Sequence, residues 1–239
     1  MSSVETRKFE PATGTAVNLG ASGDAVTLPA GVTLQTNTIK DAGGNTIFTS
    51  DGAGNLSSVN SGLQGNMVFI SSVTASASSS IEFTSGIDST YDEYVFYFVN
   101  LQPVTNATDI ELNFSTDGGS SYAVTKTTTV FYAIHSESGG SGTLASSGID
   151  LAQSGDPQKI MYSVGNSDQS GSGVLHLFAP SSTTYVKQFY TTTQFYRSDD
   201  NSQEFFIGGY CNTTSAVNAM KVYAQSGNIN GSIYLYGIK

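Results

Sequence analysis

The sequence predicts an all-β protein: an extended or intertwined N-terminal β arm or stalk followed by an antiparallel β-sandwich, with a jelly roll as the expected topology. Three observations predict it. Apolar residues recur with a period of two along many short runs, and no stretch sustains the 3.6-residue period of an amphipathic helix. Gly, Ser, Asn and Asp punctuate those runs at short intervals, as turn formers do. Aromatic residues are sparse before residue 64, where only Phe9 and Phe48 occur, and steady from Phe69 to Tyr236. That shift divides the chain into an arm over residues 1–63 and a sandwich over 64–239.

The arm opens with A-V-N-L-G (16–20) and A-V-T-L-P-A-G-V-T-L (25–34), which place Val17, Leu19, Val26, Leu28, Val32 and Leu34 on one face of extended chain. A tandem echo follows. D-A-G-G-N-T-I-F (41–48) is repeated in outline by D-G-A-G-N-L-S-S (51–58), so Asp, Gly and Asn recur about ten residues apart, each set followed by apolar residues. Asp and Asn beside Gly form turns, and Thr46-Ile47-Phe48 and Leu56 supply short strand rungs. Such rungs bury too little alone, so a short solenoid-like or intertwined stalk with neighbours in this or other chains is expected.

The sandwich strands are expected at Met67–Val73, Ile81–Thr84, Tyr91–Leu101, Thr108–Ser115, Tyr122–Ile134, Lys159–Val164, Gly173–Ala179, Thr184–Tyr196, Glu204–Asn212, Ala219–Ala224 and Ser232–Ile238. Two of them are apolar on both faces. In Y-V-F-Y-F-V (94–99), Tyr94, Phe96 and Phe98 oppose Val95, Tyr97 and Val99; in I-Y-L-Y-G-I (233–238), Ile233 and Leu235 oppose Tyr234, Tyr236 and Ile238. A sandwich strand ordinarily shows one polar face to water, so something must cover the second face. A subunit interface does so economically, with Tyr94, Phe96, Phe98, Tyr234 and Tyr236 as its candidate residues.

Composition excludes several function classes. Charged residues are 12% of the chain, against about 25% in an average soluble protein, so hydroxyls and amides carry its solubility. A net charge of −10 with nine Lys+Arg leaves no cationic footprint for nucleic acid or for an anionic membrane surface. No run approaches the roughly 20 apolar residues of a membrane-spanning helix, so no membrane insertion is expected. The start M-S-S-V-E-T-R-K-F-E lacks the apolar core of a signal peptide, and synthesis in a cytoplasm is the expectation.

Residues 115–122, S-T-D-G-G-S-S-Y, place Ser115, Asp117, Gly119, Ser121 and Tyr122 in a pattern that resembles the Asp-box of sialidases and related propellers. A sialidase would need three arginines for its substrate's carboxylate, and the chain holds only Arg7 and Arg197. The stretch reads instead as the turn of a β-hairpin between 109–115 and 122–132, with Asp117, Gly118 and Gly119 making the reversal. Neighbouring acids Asp92 and Glu93, Asp109 and Glu111, and Asp199 and Asp200 could form a two-carboxylate site, but solvated turn or rim positions account for all three. His135, His176 and the single Cys211 make no ligand set or triad, Cys211 reads as a buried hydrophobe, and Asp41–Asn45 and Asp51–Asn55 read as turns rather than calcium loops. No catalytic residue, metal site or cofactor is expected. Tyr and small polar residues in loops 135–148, 165–172 and 197–203 could serve binding.

Several stretches resemble surface proteins of tailed bacteriophage particles, of the fibre-like and decoration-like kinds. They are I-K-D-A-G-G-N-T-I-F-T-S-D-G-A-G-N-L, Y-D-E-Y-V-F-Y-F-V-N-L, N-F-S-T-D-G-G-S-S-Y and the ending S-G-N-I-N-G-S-I-Y-L-Y-G-I-K, together reaching over most of residues 38–239. The resemblance implies a homotrimer on the virion surface, attached to other phage structural proteins of tail or capsid through its N-terminal segment, with Phe9, Val17, Leu19, Val26 and Leu28 as candidate attachment residues. It implies a C-terminal jelly roll that faces outward and binds a host-surface glycan or protein. A capsid decoration, cement or head-fibre protein is the alternative. A polysaccharide-degrading tailspike is a third, which the length disfavours.

Overall fold

The echo at residues 41–55 folds as two copies of one turn. The Asp41 carboxylate accepts the backbone N–H of Asn45 at 2.8 Å and its side-chain amide at 3.0 Å. Asp51 does the same for Asn55 at 3.1 and 2.9 Å, and Gly44, Gly52 and Gly54 take the positive φ that the reversals need. The two turns join β1 (Thr38–Lys40), β2 (Thr46–Ser50) and β3 (Leu56–Val59) into an antiparallel meander, in which Ile39 lies opposite Phe48 and Phe48 opposite Val59. The expected solenoid-like rungs are therefore successive hairpins. None of the side chains described in the meander is buried. The computed structural model describes residues 36–59 and 65–239, so Phe9, Val17, Leu19, Val26 and Leu28 lie outside the described residues. The chain divides into two units, Met1–Leu63 and Gln64–Lys239.

Twelve strands build the second unit. They are β4 (Met67–Ser78), β5 (Ile81–Phe83), β6 (Glu93–Pro103), β7 (Thr108–Ser115), β8 (Lys126–Ser136), β9 (Thr143–Ser146), β10 (Gln158–Val164), β11 (Gly171–Phe178), β12 (Lys187–Tyr196), β13 (Asn201–Cys211), β14 (Ala219–Ala224) and β15 (Ile229–Ile238). Each expected strand has its counterpart, and no helix occurs among the described residues. The strand that period-two reasoning misses is β9, because T-L-A-S holds one large apolar residue, Leu144, and that residue is exposed.

Two antiparallel sheets form, one of eight strands in the order β4-β15-β6-β11-β12-β13-β8-β9 and one of four in the order β10-β7-β14-β5. Consecutive strands fall in opposite sheets at matching positions: β4 and β5, β15 and β14, β6 and β7, β11 and β10. The remaining strands widen the larger sheet beyond the smaller one. Between the sheets lies one apolar cluster that includes Phe96, Phe98, Leu175, Leu235 and Phe205 from the large sheet and Phe83, Ile110, Leu112, Phe114 and Met220 from the small. Aromatic rings meet edge-on there, Phe83 on Phe96 at 5.5 Å and Phe114 on Phe189 at 5.3 Å. Each such ring contributes about 1.5–3 kcal/mol through burial, which makes this cluster the main source of stability.

β9 pairs only with Phe131–Ile134 of β8, and residues 147–154 take up the rest of that edge. Asp150 Oδ1 accepts the backbone N–H of Val130 at 2.6 Å, the Leu151 N–H donates to Thr128 Oγ1 at 2.9 Å, and Lys126 and Ser154 exchange both backbone bonds at 2.7 and 3.0 Å. This strap satisfies backbone groups that would otherwise be buried without partners.

Candidate functional site

The outer face of the eight-stranded sheet is the surface that period two alone does not explain. Strand registers put two aromatic rows across it. One runs Phe69, Tyr236, Val95, His176, Tyr190, Gly208 and Thr129; the other runs Tyr234, Tyr97, Val174, Thr192, Phe206 and Phe131. Phe69, Tyr97, Phe131 and Tyr190 are exposed, and the rings organise one another: Phe69 and Tyr97 each meet Tyr236 edge-on, and Phe131 stacks on Phe206 at 4.7 Å. No Lys or Arg stands in either row. The His176 ring stacks on Tyr190 at 4.5 Å, and its Nδ1 lies 2.6 Å from Glu93 Oε1. His176, read as standing alone, and Glu93, read beside Asp92, are therefore partners across β6 and β11.

Three of the five residues expected at a subunit interface belong elsewhere. Tyr94, Phe96 and Phe98 are 0%, 0% and 2% exposed and form the core between the sheets, while Tyr234 and Tyr236 are half-buried on the outer face. The alternation within β6 is as read, but a strand apolar on both faces does not reveal which face turns inward. The outer partners of Tyr234 and Tyr236 are instead Tyr97 and Val95.

The S-T-D-G-G-S-S-Y stretch forms a turn but no hairpin. β7 pairs with β10 and β14, whereas β8 pairs with β13 and β9, so Asp117, Gly118 and Gly119 begin a crossing from one sheet to the other. The motif is internally bonded. Ser115 Oγ donates to Asp117 Oδ1 at 2.6 Å, and Ser121 gives that carboxylate its N–H at 2.9 Å and its hydroxyl at 2.7 Å. The Ser115 and Ser121 bonds hold the Asp117 carboxyl down at about 2. Gly119 is required: its φ is +92°, and a Cβ would lie 2.7 Å from Thr84 Cγ2 and 2.8 Å from Tyr122 Oη.

The outer row of β7 corrects a second expectation. Asp109 and Glu111 are not solvated rim acids but 6% and 5% exposed. Asp109 pairs with Lys159 at 2.7 Å and accepts the Ser163 N–H at 2.8 Å. Burial pushes the Glu111 carboxyl above its ordinary range, against the opposing pull of Tyr223 and Lys159. A hollow of about 480 Å³ beside it is lined by Asp150, Asp156, Lys159 and Gln225 among others. The third acid pair is a surface turn as expected, with Asp199 on Arg197 at 2.8 Å and Asp200 accepting from Tyr196 Oη at 3.1 Å.

Cys211 is buried and free, flanked in register by Lys187 on β12 and Lys126 on β8. Both lysines are fully buried, a pattern invisible in the sequence because the three residues lie far apart along it. Lys126 Nζ donates to Asn113 Oδ1 at 2.6 Å and to Val124 O at 2.8 Å; Lys187 Nζ donates to the carbonyls of Ser182, Tyr185 and Thr213. Burial pushes the thiol up to about 12 despite these cations, which leaves it protonated and unreactive.

Among the described residues no group of three or more His, Cys, Asp or Glu is placed to hold a metal ion. No family model, no curated protein and no solved structure matches the chain.

Proposed function

We propose that the chain is a structural protein of a tailed-bacteriophage virion: a homotrimeric fibre- or spike-like component, attached through residues 1–63 and displaying the sandwich for binding to a host surface. The observation that carries the reading is the meander of β1, β2 and β3. Its strands pair, yet no side chain described in it is buried, and three short strands without a core are not stable in water on their own. Copies of the chain packed together supply what one copy lacks. The sandwich supports the same reading. Its order β4-β15-β6-β11 facing β5-β14-β7-β10 is that of a jelly roll, extended on one side by β12, β13, β8 and β9. Its aromatic outer face, whose two rows hold no Lys or Arg, suits contact with other surfaces, because little charge has to be desolvated.

Immunogold electron microscopy of intact particles, with antibody raised against residues 66–239, tests the assignment. Gold at the tail tip supports receptor binding, and gold spread over the head supports the alternative of a decoration or head-fibre protein; particles without gold overturn the virion reading. Sedimentation velocity of the purified chain tests the trimer, which requires three times the monomer mass.

A further inference from the structure

Gly208 interrupts a row otherwise covered by side chains. It sits midway along β13, opposite Tyr190 on β12 and Thr129 on β8. Nothing in the fold requires a glycine there: its φ is not positive, and a Cβ built on it would meet no atom within 4 Å. Its neighbour Gly209 differs, since a Cβ there would come within 2.6 Å of the Thr127 carbonyl oxygen. A glycine inside a central strand weakens the strand, and such positions mark places where a ligand or another backbone comes close.

The missing side chain opens a trough. Hollows of about 340 and 350 Å³ share Gly208 and Thr129 as their common lining. Tyr190, 44% exposed, walls one side, and Phe131, 46% exposed and stacked on Phe206, walls the other; Thr129 and Thr192 place hydroxyls along it. The backbones of β12 and β8, which carry Tyr190 and Thr129, lie two strand spacings apart, about 10 Å, and their side chains narrow the opening further. A helix of about 10–12 Å diameter does not seat in that width, whereas a single sugar ring does. Charge narrows the class further. Neither row carries a Lys or Arg to hold an anionic ligand, and no charged residue lines either hollow.

We propose that the trough at Gly208 binds a neutral pyranose unit of a glycan, held between Tyr190 and the Phe131–Phe206 stack, with Thr129 and Thr192 hydrogen-bonding its hydroxyls. The proposal deepens the displayed-module reading and rests on it for its purpose, but its test is independent of where the protein sits on a particle.

The test is saturation-transfer NMR on the full chain with three probes offered separately: methyl β-glucopyranoside, methyl β-galactopyranoside and methyl N-acetyl-β-glucosaminide. The expected result is transfer to at least one of them, with a Kd on the order of millimolar for a single ring. Gly208→Val fills the trough with a residue that suits a strand, and is expected to weaken that transfer at least tenfold with an unchanged circular dichroism spectrum. Gly208→Ala serves in its place should the valine variant misfold, with a smaller loss expected. Transfer to none of the three probes, or equal transfer in the filled variant, overturns the proposal. So does a change of sedimentation in Gly208→Val without sugar binding, which would make the trough a protein contact. Particles lacking gold alongside intact sugar binding would sink the virion reading and leave the trough standing.

Discussion

Lys126 offers a stability measurement whose sign and size follow from its surroundings. It is fully buried, and burial pulls its ammonium from 10.5 down to about 8, against the weaker upward pull of Cys211 and Asp156. The unfolded chain keeps this proton until about pH 10.5 while the folded chain releases it near 8. Between those values the unfolded state binds more protons, so stability rises with pH. From 10.5 to about 8, at about 1.4 kcal/mol per pH unit, the rise comes to about 3 kcal/mol. Cys211 acts with the opposite sign, because its folded value of about 12 exceeds the ordinary 9.0 and costs stability as pH climbs above 9. The comparison therefore belongs in a Cys211→Ala background, where Lys126→Met differs from its parent only at the lysine. Lys126→Met also takes a donor from the Val124 carbonyl, at about 1–3 kcal/mol, and one from Asn113 Oδ1, which keeps the Phe114 N–H at 2.9 Å, but that cost does not depend on pH. Urea unfolding followed by circular dichroism should show the parent gaining about 3 kcal/mol on the Met variant between about pH 8 and 10.5. Parallel curves would refute the reasoning, because they would mean that the ammonium is hydrated in the folded protein.

Phe96→Ala removes a fully buried ring packed edge-on against Phe83, and urea unfolding should report a loss of about 3–5 kcal/mol; a loss near 1 would place Phe96 outside the core. Gly118→Ala and Gly119→Ala both force an alanine to positive φ, at about 1–2 kcal/mol. Only Gly119→Ala also drives a Cβ against Thr84 and Tyr122, so it should be the more damaging by about 1–3 kcal/mol in thermal melts, and equal effects would contradict the turn geometry. Asp117 is held at about 2, below the ordinary 3.8, so its contribution is complete above pH 3.8 and is lost as pH falls toward 2. Asp117→Asn should accordingly flatten the acid limb of a Tm-against-pH profile in that window, and an unaltered limb would show the Ser115 and Ser121 bonds to be without effect.

The strand content was legible because period two is a local property: alternation in 94–99 or 233–238 needs only neighbours in sequence. The same holds for the Asp-Gly-Asn turns, whose bonds span four residues. Connectivity was less legible. The S-T-D-G-G-S-S-Y turn has hairpin chemistry, yet ten residues separate β7 from β8, enough to carry the chain across to the other sheet. The site residues were hardest, since Gly208 acquires meaning only from Tyr190 and Thr129 on adjacent strands and from the empty space above it.

By itself the sequence determined the all-β class, the places of most strands, the change of character near residue 63 and the scarcity of Lys and Arg, because composition and short-range periodicity act within a few residues. Only the tertiary structure decided that Tyr94, Phe96 and Phe98 face inward, that Asp109 and Glu111 are covered, and that Lys126, Cys211 and Lys187 share one buried row. Those outcomes depend on which strands pair across long stretches of chain and on which face meets the second sheet. Alternation is symmetric between the two faces of a strand, so pairing and packing must break the tie.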